Sequence, residues 1–116
     1  MVAAVSASWE DRASAARLLA GDPDDISMGL MDRLLADEDL AVAEAAAAAL
    51  LGQADSQAVA QFTSAYLSAD DQLGDHFNDV LVVAVQVNPG IVAILERLSR
   101  AQDAGAQEAL AWLAGG

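Results

Sequence analysis

The sequence predicts an all-α protein, a short α-solenoid or helical-hairpin stack of about seven helices. Three observations lead there. The segment WEDRASAARLLAG, Trp9 to Gly21, returns 31 residues later as LAVAEAAAAALLG, Leu40 to Gly52, with an apolar opening residue, small residues at steps of three and four, a leucine pair and a closing glycine. The stripe Ile26, Leu30, Leu34 is answered about 32 residues downstream by Val59, Phe62, Tyr66. Alanine supplies 28 of the 116 residues, and it is the strongest helix former.

Taken in order, a first helix runs from about Ser8 to Ala20, with Ser8 as N-cap, Asp11 three residues on, and Gly21 as its stop. The second, about Asp24 to Ala36, has Pro23 near its first turn, and Met31 and Leu35 widen the Ile26, Leu30, Leu34 stripe. An alanine helix follows over about Glu38 to Leu51, with Leu40, Ala43, Ala47 and Leu50 on one face and Gly52 closing it. The fourth helix covers about Asp55 to Leu67 and carries Val59, Phe62 and Tyr66.

The fifth, about Asp70 to Val87, places Leu73, Phe77, Val80, Leu81 and Ala84 on a face. Its second half, VLVVAVQV, is β-branched enough to resemble a strand. The helical spacing that precedes it, and the lack of a second strand for it to pair with, favour a buried helix. Val82, Val83 and Val85 then lie off the main stripe, so a neighbouring helix or a partner has to cover them. Asn88 and Pro89 end this helix and begin the sixth, about Pro89 to Arg100, striped by Ile91, Ile94, Leu95 and Leu98. A seventh runs from about Asp103 to Leu113. The expected organisation is one domain over 1–116, with helix pairs at about 8–36, 38–67 and 70–100 and a terminal half unit at 103–114.

A chain of this length buries roughly two thirds of its unfolded surface. With only two Trp, one Tyr and two Phe, the expected core is built from Ala, Leu, Val and Ile. There is no cysteine, hence no disulfide and no thiolate chemistry. MVAAVSASWEDR has no basic residue before its short apolar run, and no uninterrupted apolar segment approaches 18 residues. A signal peptide and a membrane span are not expected, and a cytoplasmic location is.

Eighteen acidic residues against five arginines and no lysine give a net charge of -13. Nucleic acid requires a basic track that this chain does not carry. The acids fall instead at expected helix boundaries, at Asp22, Asp24 and Asp25, at Asp37, Glu38 and Asp39, and at Asp70 and Asp71, where carboxylates cap helix N-termini.

EDLAVAEAAAAALLG resembles a HEAT-repeat unit: Asp39 and Val42 stand at the turn aspartate and first-helix valine, and Ala46, Ala47, Leu50 and Gly52 at the alanine and closing positions. The resemblance extends over about residues 8 to 114. It implies a protein-binding scaffold and no catalytic residue.

One constellation suits site chemistry. In DDQLGDHFND, Asp71, Asp75 and Asp79 recur at steps of four, with His76 beside them, a set that could hold a divalent cation or serve a small metal-dependent enzyme. A di-metal helical bundle needs more histidine and glutamate than this, and the bland reading is a solvated acidic face. No phosphate loop, EF-hand or nucleophile and base pair is present, so no catalytic residue and no cofactor is expected.

The expected function is therefore a non-catalytic protein-interaction module or small acidic adaptor whose partner is a protein with a basic surface. Candidate contacts on the second helices of the pairs are Asp32, Arg33, Gln61, Tyr66, Glu96, Arg97 and Arg100. Self-association through the valine-rich helix 70–87 is the rival expectation for that surface.

Overall fold

A computed structural model describes residues 8–20, 22 and 24–115. Among these there are seven helices: α1 (Trp9–Leu19), α2 (Asp25–Leu35), α3 (Leu40–Gln53), α4 (Ser56–Ser68), α5 (Asp71–Val87), α6 (Gly90–Arg100) and α7 (Ala104–Gly115). The roles expected of Gly21 and Pro23 fall outside the described residues.

The boundaries follow from capping chemistry, since the first backbone N–H groups of a helix have no partner within it. Ser8 Oγ accepts from the Asp11 N–H at 3.5 Å. Aspartate serves α2, α3, α4 and α5. Asp24 accepts from Ile26 at 2.8 Å, Asp39 from Ala41 at 2.9 Å, Asp55 from Ala58 at 2.8 Å and Asp70 from Leu73 at 2.8 Å. VLVVAVQV is helical, continuing α5 to Val87.

Two local expectations are corrected. Gly52 does not close α3: the helix continues to Gln53, and Ala54 takes the left-handed turn with φ 53° and ψ 39°. Ile26 does not join the α2 stripe. It is 75% exposed at the first turn, and the buried face is Met31, Leu34 and Leu35.

The core centres on α3, which packs against α1, α2, α4 and α5. Val42, Ala43, Ala46, Ala47, Leu50 and Leu51 are buried on it, so small residues let neighbouring backbones approach from several sides. Phe62 of α4 and Phe77 of α5, with ring centroids 5.6 Å apart, supply the largest buried side chains. An ion pair ties α1 to the turn before α3: the Arg12 guanidinium donates to Asp37 from Nε at 2.8 Å and from Nη2 at 3.2 Å.

The solenoid expectation fails at the level of packing order. In an extending stack of hairpins α7 would lie beside α5, adding to the layer of α1, α3 and α5. It packs instead on α4 and α6. The radius of gyration is 13.1 Å and the extents are 38 × 28 × 24 Å, the size of a compact globule of this length rather than of an elongated repeat. Gly105 and Thr63 are where α7 meets α4: both are buried, and the Thr63 hydroxyl lies 3.0 Å from Asp103 Oδ2, the residue whose Oδ1 caps α7 at the Ala106 N–H.

Candidate functional site

The contact residues expected from the sequence lie on α2, α4 and α6. Asp32 of α2 and Gln61 of α4 do meet: the Gln61 amide donates to Asp32 Oδ1 and to the Met28 carbonyl, each at 2.9 Å. They form a polar seam that satisfies itself. Arg33 stands exposed in the last turn of α2, while Glu96, Arg97 and Arg100 are exposed on α6, with both arginines in its last turn beside the helix's terminal carbonyls.

Tyr66 turns inward. Its ring packs on Phe62, centroids 5.8 Å apart, and its hydroxyl donates to the Asn78 side-chain carbonyl of α5. Burial, and secondarily the Glu108 carboxylate, push its phenol pKa above the ordinary value. It borders an acidic bowl of about 420 Å³ lined also by Asp70, Asp71, Asp75 and Glu108.

The cluster suited to a cation is divided by the fold. Asp71 and Asp75 face the bowl, Asp79 lines a different surface, and His76 Nδ1 lies 3.3 Å from Glu44 of α3. Among the described residues no group of three or more His, Asp or Glu side chains is placed to hold a metal ion.

The surface that Asp79 lines is an open groove of about 510 Å³ between α3 and α5. Ala48, Leu51 and Gly52 come from α3; Val80, Val83, Ala84 and Val87 come from α5; Ile91 closes one end. Among the described residues, Glu44 and Asp79 are the only charged side chains on it. Val83 is 59% exposed and Val87 is 81% exposed, so these apolar side chains face solvent together rather than the core. Sequence reasoning identified Val83 as off the α5 stripe but did not assemble it with Ala48 and Gly52, because no local periodicity shows which face of α3 lies beside it.

No family model, curated protein or solved structure matches this chain. The resemblance to HEAT repeats is thereby corrected: it rests on alanine and leucine at helical spacing, a pattern that a compact helical bundle needs as much as a solenoid does. Among the described residues no helix is long and apolar enough to cross a membrane.

Proposed function

We propose that the chain is a non-catalytic, cytoplasmic protein-binding module whose partner presents a basic surface. The observation that carries this reading is the α3–α5 groove, an apolar strip left open to solvent on a chain of net charge -13. Exposed apolar side chains gathered on one face mark interaction surfaces more often than scattered ones do. The surrounding negative field accelerates encounter with a positively charged protein and repels nucleic acid.

Affinity capture from a lysate of the native organism at about 50 mM and about 300 mM salt tests the reading, because the higher salt shortens the screening length to below about 8 Å. Reproducible recovery of basic proteins at low salt, reduced at high salt, is the expected result. Recovery of acidic proteins, or of nothing in repeated trials, would contradict it.

A further inference from the structure

The α3–α5 groove has the dimensions of one face of a helix. On α5 its lining runs from Asp79 to Val87 and on α3 from Glu44 to Gly52, each about 12 Å at the helical rise. That length is a little over two turns, which in a docked helix places side chains at i, i+3, i+4 and i+7 along the strip.

Its lining includes the small residues Ala48, Gly52 and Ala84 beside the buried Leu51 and Ile91. Gly52 shares open space at its Cβ position with Gly29, Gly74 and Gly115, and it alone of these lines the groove. It lies within α3 and does not end it, and a Cβ built there meets nothing within 4 Å. A glycine inside a helix costs about 1 kcal/mol relative to alanine. The empty space above Gly52 opens into the groove, where an approaching backbone would need it.

We propose, building on the protein-binding reading, that this groove seats an amphipathic α-helix of a partner protein. Its leucine-like face packs between Val83, Val87, Ala48 and Gly52, and a Lys or Arg at one end lies over Glu44 and Asp79. Charge selects this occupant over a second copy of the chain. None of the five arginines lines the groove and the chain has no lysine, so a symmetric dimer through it would add no arginine or lysine to Glu44 and Asp79, beside which His76 stands 3.3 Å from Glu44. Length and openness select a helix over a small apolar ligand, since the strip runs along two helices and is not enclosed.

The test uses a synthetic helix of about 18 residues with leucines at i, i+3, i+4 and i+7 and flanking lysines. One control has the same composition with the leucines scattered, and another has glutamate for lysine. The full-length protein should bind the first peptide at least about tenfold more tightly than either control. Val83→Glu should weaken that binding by about tenfold or more. Gly52→Leu should weaken it as well by filling the open space beside α3. Both positions face solvent or open space, so both variants should keep the parent helical circular dichroism, and Gly52→Leu should melt no lower than the parent.

Equal binding of the scattered-leucine peptide would reduce the interaction to bulk charge and overturn the proposal. So would unchanged affinity in folded Val83→Glu and Gly52→Leu, or a concentration-dependent dimer in sedimentation that Val83→Glu abolishes, which would assign the groove to self-association. Lysate capture with the same variants separates this proposal from the reading beneath it. Basic partners retained by both variants leave the module reading standing and sink the groove, whereas a parent protein that captures nothing and ignores the peptide sinks both.

Discussion

Gly105 of α7 lies so close to Thr63 of α4 that a methyl group in place of its hydrogen would stand 2.0 Å from the Thr63 carbonyl oxygen and 2.7 Å from the carbonyl carbon. Backbone meets backbone there, and no side chain can swing aside to make room. This contact sets α7 on α4 and so decides that the chain closes into a globule instead of continuing as a stack. Gly105→Ala should destabilise the fold by about 3 kcal/mol, read as a lower denaturant midpoint. Unchanged stability would mean that α7 does not dock on α4.

Asp103 joins the same contact by two routes, capping α7 at the Ala106 N–H and accepting from the Thr63 hydroxyl. Asp103→Ala removes both and should cost about 2 kcal/mol. Thr63→Val removes only the hydroxyl, keeps the cap, and should cost about 1 kcal/mol. Thermal or chemical denaturation of the two variants should give that order, and a reversed order would put the stabilisation in the hydroxyl rather than the cap.

Tyr66 is the chain's one tyrosine, so phenolate absorbance reports it without interference. Its pKa is raised above 10.0, first by burial and then by Glu108. Folding holds the proton on, so the stabilisation is fully present below the unfolded value and is lost as pH rises through the folded one. The titration midpoint of the folded protein should exceed that of the urea-unfolded chain. Glu108→Gln should lower the folded midpoint only in part, because burial is the larger cause. A folded midpoint at or below the unfolded one would contradict the placement of Tyr66 between α4 and α5.

Gln102 follows the end of α6 with φ 71°, a left-handed conformation that glycine adopts at less cost than any residue with a Cβ. The turn is closed by bonds from the Gln102 N–H to the Ser99 carbonyl and from the Asp103 N–H to the Leu98 carbonyl, each 3.0 Å. Gln102 is exposed, so its side chain contributes little packing. Gln102→Gly should stabilise the protein by about 1 kcal/mol, raising the melting temperature. A lower melting temperature would show that the α6–α7 turn has a different geometry.

The helices were legible in the sequence because their determinants are local. Asp24, Asp39 and Asp70, from the acidic clusters expected at helix boundaries, each cap the helix that follows, and Asp55, outside those clusters, caps α4 in the same way. Ala47 is buried as its position on the alanine face requires. Gly52 misled because a glycine near a helix end can serve either as its stop or as an opening on its surface, and sequence alone does not separate the two. Packing order was hidden for a related reason: the contact of Gly105 with Thr63 joins residues far apart in sequence, and neither stands out locally. The groove was half visible. Val83 stood off its stripe, but its neighbours Ala48 and Gly52 belong to another helix and look like ordinary alanine-helix residues.

The most direct test of the central claim is an isotope-filtered nuclear Overhauser experiment on the protein bound to the leucine-striped basic peptide. Contacts from the peptide's leucine methyl groups to the methyls of Val83, Val87 and Ala48, with lysine methylene contacts near Glu44 and Asp79, are the predicted result. Leucine contacts confined to another surface, such as the bowl around Tyr66 and Asp75, would contradict it.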